Sequence, residues 1–145
     1  MNKKVLLAGS ILAVLGIIAA VLIYIFVYNK PQPDFAKEKA DYTVKAAELF
    51  SEFKTDAKDS NTRYTGKVVA ITGKLTGVEK TDSLSIAVFA LQEGMFGDEG
   101  IRCALIPEHA NDVNNISPGT EITLKGYCTG FNDTDVIMEH CSLVK

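Results

Sequence analysis

The first apolar pattern in the chain has no period. Val5 to Tyr28 is an uncharged run of 24 residues, VLLAGSILAVLGIIAAVLIYIFVY. About 20 apolar residues carry a helix across a bilayer, and at the helical rise this run reaches about 36 Å. It predicts a transmembrane helix over residues 5–28. A cleaved signal peptide has a shorter apolar core that ends in small residues. This run ends in Ile25, Phe26, Val27 and Tyr28, so an uncleaved signal anchor is expected. Lys3 and Lys4 precede it, which favours a cytoplasmic N-terminus at residues 1–4 and an extracytoplasmic remainder, periplasmic where the cell has an outer membrane. Tyr24 and Tyr28 suit the outer headgroup level. Gly9, Ala13, Gly16 and Ala20 share one helix face, and small residues let two membrane helices approach closely. A homodimer through that face is one expectation; the ordinary Gly and Ala content of membrane helices is the other.

After the helix the pattern turns polar. Residues 29–41 read as a linker, with Pro31 and Pro33 blocking helix continuation and charges keeping the segment solvated. A helical period follows from about Lys45 to Lys58, with Ala46, Leu49, Phe50, Phe53 and Ala57 on one stripe. From Thr65 the period becomes two. Val69, Ile71, Gly73, Leu75 and Gly77 alternate with polar and small residues through Lys80, the glycines marking a bend. Leu84 to Leu91 forms a second strand. Gln92 to Gly100 forms a loop with three glycines, and Ile101 to Ile106 a third strand with Ile101, Cys103 and Leu105 inward. A short helix is expected from Glu108, then a turn at Ser117–Gly119. Two last strands follow, with Ile122, Leu124, Gly126 and Cys128 on one inner face and Ile137, Cys141 and Leu143 on the other.

Helix, three strands, short helix and two strands describe a mainly β domain over residues 42–145: a five-stranded OB-type barrel with an N-terminal helix and a short helix before the fourth strand. A β-sandwich has about seven strands, and a parallel α/β fold needs a helix after each strand. The stretches GKVVAITGKLTGVEK, MFGDEGIRCAL, PGTEITLKGYCTGF and DVIMEHCSLVK together resemble the tRNA-anticodon-like OB-fold family over about Tyr42 to Lys145. The resemblance implies a small bacterial envelope protein with an anchor, a tether and one OB domain. It implies no activity that transfers to residues. Relatives often look like lipoproteins; here a transmembrane helix stands in place of an acylated cysteine.

Charge narrows the partners. Removing Lys3, Lys4 and Lys30 from the 15 basic residues leaves 12 against 18 acidic ones, a net charge of −6 over residues 31–145. That disfavours nucleic acid, whose affinity comes largely from phosphate contacts. The expected partners are the membrane itself and an envelope protein, glycan or small ligand. Lys125 and Tyr127, with Arg102 and the Met95–Gly100 loop carrying Met95 and Phe96, form the candidate binding surface. A nucleic-acid-binding OB domain is the alternative.

The three cysteines invite three readings. Zinc needs closely paired ligands and thiol redox catalysis a CxxC; neither spacing occurs, so no metal, cofactor or catalytic residue is assigned and a noncatalytic protein is expected. A disulfide is the third. With Asp133–Thr134 at the turn of the last hairpin, Cys128 opposes Glu139 and Cys141 is diagonal; with Thr134–Asp135 at the turn, Cys128 and Cys141 face each other. Cys103 is the rival partner, since third and fifth strands of an OB barrel are neighbours. Three buried free thiols are the remaining reading.

Overall fold

The computed structural model describes residues 2–29 and 34–145; the expectations placed on Lys30, Pro31 and Pro33 lie outside the described residues. The chain divides into two compact units, Met1–Pro33 and Asp34–Lys145.

In the first unit the apolar run forms helix α1, Lys3–Ile23, and a π-helical turn, Tyr24–Tyr28. None of its side chains is buried, and the helix is long and apolar enough to cross a membrane. A Cβ added at Gly9 or Gly16 would meet nothing within 4 Å, so the small-residue face is open.

The second unit begins at Asp34, eight residues before the domain start expected at Tyr42. Its elements are β1 (Tyr42–Lys45), α2 (Ala46–Thr55), α3 (Ala57–Tyr64), β2 (Val68–Lys74), β3 (Gly77–Lys80), β4 (Ser85–Gly94), β5 (Gly97–Leu105), α4 (Pro107–Asn114), β6 (Glu121–Phe131) and β7 (Val136–Leu143). The strands make one mixed sheet in the order β1-β2-β6-β7-β5-β4-β3, with β1–β2 and β5–β7 parallel and the other pairs antiparallel.

This corrects the expected five-stranded barrel. The sheet has seven strands, and no ladder joins β1 to β3 among the described residues, so it is open. Two events raise the count. Tyr42–Lys45 adds β1 beside β2, in register Tyr42 opposite Val69. The predicted first strand also divides at Leu75–Thr76: Leu75 N–H donates to Thr120 at 3.0 Å, and Thr76 N–H donates to Val88 at 2.9 Å. The chain thereby leaves the β6 side and joins β4 at the far end of the sheet.

The single predicted helix is two. Asp56, at φ −146°, ends α2, and its carboxylate accepts from Asp59 N–H at 3.0 Å to cap α3. Leu49 and Phe53 of α2 are fully buried against the sheet, and Phe53 packs between Tyr64 and Phe131. The α2 N-terminus crosses the sheet at Gly73, where a Cβ would lie 2.8 Å from that of Ala46, so only glycine admits the helix there. The expected loop Gln92–Gly100 is mostly strand. β4 and β5 run on to a two-residue turn, Met95–Phe96, closed by Gly94 opposite Gly97, with Gly97 at φ 129°.

The inner face of β5 is Ile101, Cys103 and Leu105, and that of β6 includes Ile122, Leu124 and Cys128, as alternation predicts. In β7 the inner residues are Val136, Met138 and Cys141 instead of Ile137, Cys141 and Leu143. The pairing with both neighbours shifts between Met138 and Cys141, where His140 adopts φ 52°. One extra residue reverses the alternation and turns Glu139 and His140 outward.

Candidate functional site

The candidate surface residues fall into two groups. Met95 and Phe96 occupy the β4–β5 tip and are 90% and 95% exposed. Behind them Arg102, on the outer face of β5, donates from Nε to Asp135 at 3.1 Å and from Nη1 to Glu79 at 2.7 Å. Glu79 first, and Asp135 after it, raise the guanidinium pKa and outweigh partial burial. Asp135 is only 9% exposed and also accepts from Gly100 N–H at 2.9 Å. The β6–β7 turn fixes it. Asn132 Oδ1 accepts from the N–H groups of Thr134 and Asp135 at 3.1 and 2.7 Å, and Asp133 takes a left-handed φ of 73°. On the other flank Glu99 pairs with Lys54 of α2. The tip is thus an apolar pair above the facing carboxylates Glu93 and Asp98, with the paired charges of Glu99, Arg102 and Asp135 behind them. Phe96, Glu99, Arg102 and Asp135 line a shallow groove beneath it.

Lys125 and Tyr127, on β6, are elsewhere and are covered. The described half of the expected linker is a strap on the domain. Asp41 N–H donates to Val68 O at 2.7 Å, and Val68 N–H returns a bond to the Asp41 carboxylate at 2.9 Å. The Lys125 ammonium donates to the carbonyls of Ala36 and Glu38 at 2.8 and 2.6 Å. Phe35 packs on Tyr127 and on His140, with ring centroids 5.1 and 5.3 Å apart. Sequence reasoning missed Phe35, His140 and Asp135. A lone aromatic in a charged linker was the legible sign of the first. The other two depend on a bulge and a turn that the alternation pattern does not encode.

The three cysteines are free and buried. The last hairpin has Asp133–Thr134 at its turn, with Phe131 opposite Val136. An extra residue in β6 between Cys128 and Gly130 then moves the register by one, so Cys128 faces Met138. Cys103 faces Met138 from the other side, and Cys141 pairs with Leu105. Burial pushes the Cys128 thiol up to about 11. Burial also raises Cys141, with Cys103 the next cause. These are thiols held away from nucleophilic chemistry. Among the described residues no three His, Cys, Asp or Glu side chains are placed to hold a metal ion.

No curated protein matches the chain. Among solved structures it is similar to a Klebsiella pneumoniae lipoprotein provisionally described as nucleic acid-binding, at 18% identity and a TM-score of 0.54, over 80% of this chain and 100% of that one. At that identity the likeness concerns the fold. It also overlaps an aspartyl-tRNA synthetase of Entamoeba histolytica at 14% identity and a TM-score of 0.44, over 80% of this chain and 23% of that one. The tRNA_anti-like family matches residues 1–143, the N-terminal helix and the seven-stranded domain together, and the chain belongs to that OB-fold family.

Proposed function

We propose that this protein is a noncatalytic OB-fold module, held to a membrane by α1 and displayed outside the cytoplasm, that docks a partner protein through the β4–β5 tip. The observation that carries the reading is the exposure of Met95 and Phe96, at 90% and 95%, on a two-residue turn closed by Gly94 opposite Gly97. Burying two such side chains is worth about 1.5–3 kcal/mol each, and a hydrophobic centre with a polar rim is how protein interfaces are built. The OB assignment fits the sheet when β2 and β3 are read as one strand bent at Leu75–Thr76, which makes β4 and β5 the second and third barrel strands. OB folds bind ligands on the face of those strands. The membrane tether adds effective concentration, so a modest docking affinity suffices for a partner in the same membrane.

The test is a photocrosslinking side chain at position 96 of the full chain in its native envelope. One protein should be captured there and not from position 58 on α3, and Met95→Ser with Ser at position 96 should lose it from a nearby crosslinker. Identical adducts from both positions would sink the reading.

A second reading is nucleic-acid binding, favoured by the description of the Klebsiella lipoprotein and by the Phe35–Tyr127–His140 aromatic cluster beside Lys125. Against it stand the net charge of −6 on residues 31–145 and the two carboxylates that neutralise Arg102. Salt-dependent binding of a single-stranded oligonucleotide at about 1 µM or below would favour it over protein docking.

A further inference from the structure

We propose that the outer face of β6 and β7 at Tyr127, His140 and Lys125 is a recognition slot for an aromatic-bearing peptide, and that Phe35 of the strap fills it in cis. This slot lies on other strands than the β4–β5 tip and stands whether or not the tip docks a protein.

The strap shows what the slot accepts. Phe35 packs on two rings at once, 5.1 Å from Tyr127 and 5.3 Å from His140, tilted 34° and 35° to them. One and three residues further on, the Ala36 and Glu38 carbonyls accept from the Lys125 ammonium at 2.8 and 2.6 Å. An aromatic anchor and two backbone carbonyls are features of any peptide with Phe, Tyr or Trp at the right place. The strap adds little of its own. No residue from Asp34 to Asp41 is fully buried, and the Asp34–Lys37 ion pair points to solvent. A strap that served only to complete the core would bury more than this.

The platform, by contrast, is built. His140 reaches the outer face only because the β7 bulge breaks alternation, and it holds φ 52° there, a conformation a non-glycine residue rarely adopts. Bulges re-aim side chains beside functional sites. Lys125 is set opposite Ser142, whose hydroxyl donates to the Lys125 carbonyl at 3.4 Å. Two rings from two strands thus converge on Phe35, and Lys125 beside them holds the backbone that follows it. Because the cis segment competes, the apparent affinity for a second peptide falls by the fraction of time the slot is closed.

The experiment uses the full chain in detergent micelles and, as probe, a labelled octapeptide with the sequence DFAKEKAD, residues 34–41. Phe35→Ala in the protein should bind the probe at least tenfold more tightly than the unaltered chain. Adding Tyr127→Ala or Lys125→Met should remove that gain, and a probe carrying Ala in place of its Phe should not bind. Equal binding by the unaltered chain and Phe35→Ala overturns the proposal. So does a Phe35→Ala chain that fails to fold, since the strap is then structural. Preference of the opened slot for an octathymidine over the peptide overturns it in favour of a nucleobase platform.

Discussion

Gly126 and Cys141 show how closely the end of the sheet is fitted. A Cβ at Gly126 would overlap the Cys141 sulfur and lie 2.9 Å from the Glu139 carbonyl. The bulge that turns His140 outward brings both groups there, so the missing methyl is what accommodates the bulge. Gly126→Ala is expected to destabilise the domain by about 1–3 kcal/mol, the usual cost of overpacking. Cys141→Ala in the same background should restore part of that, because the backbone contact to Glu139 remains; equilibrium urea unfolding reads both. Cys128 carries a second prediction. Its thiol titrates near 9 in the unfolded chain and at about 11 when buried. The native pKa is the raised one, so the stabilisation is intact below pH 9 and is lost as pH rises from 9 to 11. The slope for one such group is at most about 1.4 kcal/mol per pH unit. Cys141 shifts in the same direction, so Cys128→Ala should flatten the alkaline fall without abolishing it. Unfolding curves at pH 8, 9 and 10 measure this, and a stability independent of pH over that range would contradict it.

The β4–β5 hairpin and the β6–β7 turn are held together by one carboxylate. Asp135 accepts from the Gly100 N–H and from Arg102 Nε, tying the turn to the strand behind the tip. Asp135→Ala leaves that N–H without its partner and Arg102 with Glu79 alone, and should cost about 1–3 kcal/mol. Asp135→Asn should cost less, since its amide oxygen can still accept from Gly100. The combined change of Met95 and Phe96 to serine should move stability by less than about 0.5 kcal/mol, because both side chains are already in water; thermal unfolding separates the two cases. Elements with one wet and one dry face were readable in advance. The stripe of α2 and the inner faces of β5 and β6 follow directly from period, and α1 from the unbroken length of its apolar run. Elements without that contrast were not. Glu93, Asp98 and the turn between them are exposed on both faces, so alternation stops although the ladder continues. Tyr42–Lys45 is four residues long, too short for a period. In β7 the alternation was legible but its inversion was not, because no glycine or proline marks the bulge at His140. The candidate surface divided for a related reason. Lys125 and Tyr127 point outward as expected, yet the charged segment read as a wet linker covers Tyr127 with Phe35 and Lys125 with two backbone carbonyls.

At the scale of the whole chain, the proposed membrane location draws on a contrast between its parts. The helix Lys3–Ile23 and the turn after it bury none of their side chains, whereas the unit Asp34–Lys145 buries its apolar residues in a core of its own. In water a 24-residue apolar surface of that kind would drive aggregation; in a bilayer it is at its free-energy minimum. The full chain should therefore stay with membranes after extraction with high salt and with alkaline carbonate, either of which releases peripheral proteins. The proposed orientation rests on Lys3 and Lys4 before the helix against Lys30 alone close behind it. Positive charge near the ends of a membrane helix is retained in the cytoplasm. Protease added outside spheroplasts should cut the domain while leaving cytoplasmic markers intact, and inverted vesicles should protect it. Replacing Lys3 and Lys4 with glutamate should weaken that preference and yield a mixed population. Protection of the domain in spheroplasts would place it in the cytoplasm, where the docking partner would have to be sought among cytoplasmic proteins.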